Sequence, residues 1–225
     1  MSEKETEIEA LKVVLIGEAG TGKTSIIQRF AYKLFDPNCA SSISSQYISQ
    51  VIELKDINKT LKFEIWDTAG QERYRSMAKI FYKDAKIILF VYDVTCLKSF
   101  EELENYWITQ VKDNCSQKAL LGLVANKCDM YDQQQVSTEN GMKLANDIGA
   151  VFQYTSAKSG VGINSLFENL GRKYLDPTFD YQAADKTAME KYKKKKEEEK
   201  KRHKDKNNRG VKLDINKNKK KRCCG

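Results

Sequence analysis

A single histidine, His203, stands in a lysine run, and no second imidazole is available to work with it. Its place in a charged run excludes a Ser-His-Asp triad, and the lack of a second imidazole excludes any metal site built on several histidines. No apolar run is long enough to cross a bilayer; IILFVY, at 87–92, is among the longest. The opening MSEKETEIEA is acidic and lacks an apolar stretch, so no secretory leader is expected. Residue 2 is Ser, which removes the Gly that N-myristoylation needs. Four cysteines, Cys39, Cys96, Cys115 and Cys128, are scattered singly, with neither a disulfide framework nor C-x-x-C metal spacing. They read as small, partly buried hydrophobes in a reducing compartment. The chain is expected in the cytosol, or at a membrane reached from the cytosolic side.

Excess positive charge is also missing from most of the chain. Residues 1–176 carry 21 Lys and Arg against 23 Asp and Glu, whereas residues 177–225 carry 18 against 8. The overall charge of +8 therefore belongs to the C-terminal part. A basic face across the fold is not expected, and the last thirty residues hold no aromatic ring to stack on a base. No nucleic-acid partner is expected.

What is present is an alternation of short apolar runs with longer amphipathic stretches. Strands are expected at 11–16, 47–56, 61–67, 87–93, 119–125 and 151–156, and helices at 25–35, 99–113, 137–148 and 164–174. In these helices Leu103, Trp107, Val111, Leu166, Phe167 and Leu170 fall on inward positions, and Ser137 and Asn140 are candidate caps. The pattern predicts an α/β fold: a six-stranded, mostly parallel sheet with helices on both faces. The two strands joined by DINK predict one antiparallel hairpin at an edge. Residues 1–10 read as an N-terminal extension, 11–176 as one domain ending at Asp176-Pro177, and 177–225 as a flexible basic tail.

Between the first strand and the first helix stands GEAGTGKT, which fits G-x-x-x-x-G-K-[ST] in the setting that gives the pattern meaning. Backbone N–H groups of a glycine-rich turn and a helix N-terminus point at polyphosphate oxygens without steric cost. Lys23 would bridge the outer phosphates and Thr24 would ligate Mg²⁺. Three more segments close predicted strands. WDTAGQE (66–72) offers Asp67 to hold Mg²⁺ through water, Gly70 to turn the backbone toward a γ-phosphate, and Gln71 to orient water. NKCD (126–129) offers the Asp129 carboxylate to adjacent N–H and NH₂ donors, which guanine has and adenine lacks. TSAK (155–158) can present backbone donors to the guanine carbonyl. Each segment alone is also an ordinary strand-end turn. Together they converge on one edge of a parallel sheet.

These motifs resemble the Ras-superfamily small GTPases. WDTAGQERYRSMAKIFYKDAKIILFVYDVT with a terminal Cys pair resembles the Rab family in particular. The likeness spans residues 11–175 and the last few, and GEAG with QERYRSMA leans toward the early-endosomal group. The resemblance implies a P-loop NTPase G domain that binds GTP or GDP with Mg²⁺ through Glu18, Ala19, Gly20, Thr21, Gly22, Lys23, Thr24 and Ser25. It implies that Phe35 contacts the guanine edge and that Asn126, Lys127 and Asp129 bind the base, with Ser156, Ala157 and Lys158 closing the pocket. It implies that Thr24, Ser42 and Asp67 serve Mg²⁺, and that Gln71 and Lys23 carry hydrolysis, slow alone and faster with an activating protein that supplies an arginine. Tyr47, Trp66 and Phe81 match the aromatic triad on which Rab effectors dock, although such rings equally suit ordinary packing. Three departures stand out: Ser42 lacks the usual switch I threonine methyl, Ser44 replaces a glycine, and Ala19 places a methyl beside the expected γ-phosphate.

The end of the chain, KNKKKRCCG, has no CaaX box, since Arg222 stands where its cysteine would be. Cys223 and Cys224 look like Rab-type geranylgeranylation sites. Two lipids anchor stably where one binds marginally. Neighbouring lysines add attraction to anionic lipid. KKKKEEEKK reads as a solvated spacer with charges paired at helical spacing. The resemblance implies a monomer on the cytoplasmic face of endomembranes, with a cytosolic pool. Its implied partners are effectors, an exchange factor, an activating protein, a GDP-dissociation inhibitor and the prenylation machinery. Three rival readings exist: a phosphotransferase or ATPase using the same loop, a scaffold that binds GTP without cycling, and nucleic-acid binding through the basic tail, which the tail's lack of aromatic interleaving opposes.

Overall fold

The computed structural model describes residues 8–38, 46–67, 81–115 and 119–181. The chain divides into two units, Met1–Ala184 and Asp185–Gly225, and everything described below belongs to the first. Ser42, Ser44, Gly70, Gln71, Cys39, His203, Cys223 and Cys224 lie outside the described residues.

Six strands form one sheet: β1 Glu9–Ile16, β2 Gln46–Leu54, β3 Lys59–Asp67, β4 Ile87–Asp93, β5 Leu120–Asn126 and β6 Val151–Tyr154. Their order is β2-β3-β1-β4-β5-β6, with β2 antiparallel to β3 at one edge and every other pair parallel. This is the expected architecture, including the edge hairpin. β4 is buried along its whole length because both faces are covered.

Among the described residues the main helices are α1 Lys23–Tyr32, α2 Leu97–Glu102, α3 Ile108–Asn114, α4 Thr138–Ile148 and α5 Ile163–Leu175. Alternate strand residues sort the two layers. Val13, Leu15, Leu89 and Val91 pack with Ile26, Phe30, Leu166, Phe167 and Leu170 of α1 and α5. Phe30 and Phe167 stack with ring centroids 3.8 Å apart, which locks the two helices together. On the other face Tyr92 meets Phe100 of α2 edge-on at 5.0 Å. A Cβ added to Gly141 of α4 would come within 2.6 Å of the Tyr92 hydroxyl, so α4 packs closely on that face too.

Several boundaries differ from the sequence expectation. α1 stops at Tyr32 rather than reaching residue 35, because Lys33 adopts φ 59° and caps the helix through its N–H on Arg29 O. β2 ends at Leu54 and turns through a short 3₁₀ segment, Lys55–Ile57. The expected helix at 99–113 starts earlier, at Leu97, and is interrupted between α2 and α3 by a π-helical turn, Leu103–Trp107. The inward set on that stretch nonetheless holds, since Leu103, Trp107 and Val111 are all buried. Ser137 caps α4 as expected, its hydroxyl accepting the Asn140 N–H at 3.1 Å. Of the body cysteines, Cys128 is buried, Cys115 half-buried and Cys96 exposed, so partial burial does not extend to Cys96.

Packing continues past Pro177. The Asp176 carboxylate accepts from the Thr178 N–H and hydroxyl at 2.8 and 2.6 Å. Lys173 Nζ donates to Pro177 O and Phe179 O. Tyr181 is only 5% exposed, and its hydroxyl donates to Gln153 Oε1 of β6 at 2.7 Å.

Candidate functional site

Parallel register brings the C-terminal ends of the strands into line: Leu15 pairs with both Asp67 and Leu89, Asp93 with Asn126, and Ala125 with Tyr154. The loops that leave these ends therefore share one edge, where an α/β sheet places its ligand.

The first is the glycine loop. Gly17 at φ 147° and Gly22 at φ 92° hold backbone that side chains rarely adopt. A Cβ on Gly17 would strike Val91 O, and one on Gly22 would strike Asn126 Nδ2. Ala19 and Gly20 are exposed at the loop tip, and Gly22 leads into the N-terminus of α1, with Ser25 in its first turn. Lys23 is 5% exposed; its ammonium donates to Gly17 O at 2.8 Å and Glu18 O at 2.9 Å. Burial pushes this amine down to about 8, against the opposing pull of the Asp67 and Glu18 carboxylates. A buried ammonium hydrogen-bonded to two carbonyls suits an anion, whose charge would offset the cost of desolvation.

Thr24 Oγ1 donates to Asp67 Oδ2 at 2.6 Å, with Asp67 1% exposed at the end of β3. Two hard oxygen groups side by side next to a phosphate cradle fit Mg²⁺. Thr24 and Asp67 would hold the ion, which when bound neutralises charge on the outer phosphates.

The second half of the site lies on β5 and β6. Asn126 is buried and its amide is used at both ends: Nδ2 donates to Thr21 O at 2.8 Å, and Oδ1 accepts from Thr155 Oγ1 at 3.1 Å. It ties the phosphate loop to the strand ends. Lys127, at φ 63°, pairs through Nζ with Asp93 Oδ2 at 2.7 Å, while Asp93 Oδ1 accepts from the Thr95 N–H and hydroxyl. Ser156 Oγ donates to Asp129 Oδ1 at 2.6 Å and accepts the Ser159 N–H, so the serine aims the carboxylate. The Ser156 N–H is taken by Val161 O at 2.9 Å. Ala157 and Lys158 therefore supply the donors that could face a base carbonyl.

Three side chains that the motifs do not name complete the arrangement. Arg29 of α1 grips the 157–158 backbone from behind. Asp93 holds Lys127, and Trp107 Nε1 in the π-helical turn donates to Glu18 Oε1 of the glycine loop at 3.0 Å. Phe35 packs partly buried against the core, 6.0 Å from the Arg29 guanidinium carbon. None of the three was legible in the sequence: Arg29 and Asp93 are visible as charged residues near the motifs, but nothing in their spacing assigns them partners, and the π-helical turn that places Trp107 has no signal in the spacing of its apolar residues.

Tyr47, Trp66 and Phe81 come together on one face. Ring centroids lie 5.2 Å apart for Tyr47–Trp66 and 6.1 Å for Trp66–Phe81, and Tyr47 is 48% exposed. Among the described residues no helix is long and apolar enough to cross a membrane.

Comparison with known proteins agrees with this geometry. A model of the Ras family matches residues 12–176. Human Ras-related protein Rab-8B is 42% identical over 164 residues, covering 73% of this chain and 78% of that protein. Bovine (Bos taurus) Ras-related protein Rab-8A is 40% identical over 161 residues, covering 72% and 76%. Human Ras-related protein Rab-22A is 36% identical over 166 residues, covering 74% and 84%. The similarity is spread over more than one named Rab.

Proposed function

The chain belongs to the Ras family, in its Rab branch, and from that premise we propose that it is a membrane-anchored GTP/GDP switch that regulates vesicle traffic by recruiting effectors. It is a GTPase. The observation that carries the reading is the convergence of Lys23, Thr24 and Asp67 with Asp129 and Ser156 along one sheet edge: a phosphate end, a magnesium pair and a base end in one site.

In this reading the triphosphate lies in the glycine loop with its outer oxygens on Lys23. Thr24 and Asp67, joined by Ser42, hold Mg²⁺. The guanine lies between Phe35 and the 156–158 loop, with its N–H and NH₂ on Asp129. Gln71 orients the attacking water, and Gly70 brings the backbone to the γ-phosphate. GTP orders the segments around Ser42 and Gln71, and hydrolysis releases them. Effectors read that change at Tyr47, Trp66 and Phe81, whose contiguous, partly exposed rings suit an aromatic hot spot. Geranylgeranyl groups on Cys223 and Cys224 hold the monomer on the cytoplasmic face of endomembranes, and a GDP-dissociation inhibitor maintains a cytosolic pool. The prenylation machinery, an exchange factor and an activating protein complete the cycle.

The non-cycling scaffold is not favoured, since the family is one of GTPases. The ATPase reading meets the Asp129 carboxylate, which adenine cannot satisfy. Competition for labelled GDP separates them: unlabelled GTP should displace it at stoichiometric concentration and ATP should not at a thousandfold excess. Displacement by ATP would overturn the reading.

A further inference from the structure

Arg29 stands on α1, and its guanidinium donates to three backbone carbonyls. Nε donates to Ala157 O at 2.7 Å, one terminal nitrogen to Lys158 O at 2.8 Å, and the other to Lys33 O at 2.7 Å. We propose that Arg29 is a positioning residue for the base: it braces the two walls of the pocket against each other and so sets how long a guanine nucleotide stays bound. The inference rests on the reading of this pocket as a guanine site.

Two adjacent carbonyls, Ala157 O and Lys158 O, match the planar fork of a guanidinium, and no other cationic side chain offers that geometry. Ser156 precedes them directly and holds Asp129 at 2.6 Å, so a displacement of 157–158 passes to the carboxylate that reads the base. The third donor closes the end of α1 at Lys33, where φ 59° turns the chain out of the helix toward Phe35. The Phe35 ring lies 6.0 Å from the guanidinium carbon. One side chain therefore ties the Phe35 wall to the 156–158 wall. The phosphate end is remote: Arg29 sits six residues past Lys23, about 9 Å along the helix axis. Loss of the brace acts on base discrimination and residence, not on the phosphate cradle.

The experiment follows release of labelled GDP and of labelled IDP from the full chain with Mg²⁺. IDP lacks the exocyclic amine that guanine offers to Asp129. Four proteins are compared: wild type, Arg29→Ala, Arg29→Lys and Asn164→Ala. Asn164→Ala cuts the tie between Lys33 Nζ and Asn164 Oδ1 of α5, 3.0 Å long, without touching the base loop. Arg29→Ala should release GDP at least about tenfold faster, roughly 1.4 kcal/mol. Its preference for GDP over IDP should shrink by a similar factor. Arg29→Lys should behave like Arg29→Ala, since one ammonium cannot span two carbonyls in a fixed fork, and it carries the test if the alanine variant does not fold. Asn164→Ala should keep wild-type release. Wild-type release and wild-type preference in both Arg29 variants would overturn the inference. So would equal acceleration of GDP and IDP, which marks a merely structural role, or Asn164→Ala matching Arg29→Ala. A wild type that binds no GDP is a different result and sinks the guanine reading itself.

Discussion

At the scale of single residues, the site is a set of polar side chains whose partners are mostly other parts of the site. Asn126 spends its amide on Thr21 O and the Thr155 hydroxyl, and Lys127 spends its ammonium on Asp93. These two fix the loops; in the proposed reading Asp129, which accepts the Ser156 hydroxyl, is the group that would face the base. Ser156→Ala removes that hydrogen bond to a charged acceptor, which is worth about 1.5–3 kcal/mol at most and less where water can replace it. The expected outcome is GDP affinity reduced by roughly tenfold, measured by titration calorimetry, with thermal stability in the absence of nucleotide little changed. The conformation of the glycine loop was legible in the sequence because its requirement is local: glycines for positive φ and close backbone approach, then Lys and Thr opening a helix. Arg29 was not legible, because its partner Ala157 lies 128 residues away and nothing in its own neighbourhood states the pairing.

At the scale of elements, alternation of apolar runs with amphipathic stretches carried the six strands, the edge hairpin and the inward residues of α5, but not the strand order. It did not carry the ends of elements, which depend on single dihedrals. Lys33 leaves α1 through a left-handed conformation with no glycine to announce it. Leu103, Trp107 and Val111 recur every four residues, which reads as one regular helix, yet the backbone inserts a π-helical turn there and Trp107 reaches Glu18. Such turns are common at functional sites. The strap after α5 is a further case. TFDY reads as linker by composition, yet Phe179 packs on the core and Tyr181 is buried there. A chain ending at Asp176 loses both rings, on the order of 3 kcal/mol. Its melting temperature should fall by about 6–12 °C relative to a chain ending at Ala184. Differential scanning calorimetry of the two truncations measures this, and equal melting would show that the strap adds nothing.

At the scale of the whole molecule, charge and chemistry are divided along the chain. Residues 1–176 are nearly neutral and hold the candidate nucleotide site, while residues 177–225 hold the excess of Lys and Arg and the final cysteines. That division suits the proposed switch on a tether, in which a lipid would determine where the domain works and the nucleotide when. Two lipids give stable anchoring where one is marginal, and each lysine near an anionic surface adds about 1 kcal/mol. In cells, replacing both Cys223 and Cys224 with Ser should move the protein wholly to the soluble fraction. Replacing either one alone should leave weaker, salt-sensitive membrane association through the remaining lipid together with the basic run. Fractionation in low and high salt reads both outcomes, and full membrane recovery of the double variant would contradict the tether.

The central claim is that one sheet edge binds guanine nucleotide and cleaves GTP. The most direct test is phosphate release from GTP by the purified chain with Mg²⁺, under single-turnover conditions, for wild type, Gln71→Leu and Asp129→Asn. The account predicts slow release by the wild type, release reduced at least about tenfold in Gln71→Leu with nucleotide still bound, and loss of tight GTP binding in Asp129→Asn. Tight GTP binding with no release from wild type, even with an activating protein present, or Asp129→Asn binding GTP as wild type does, would contradict it.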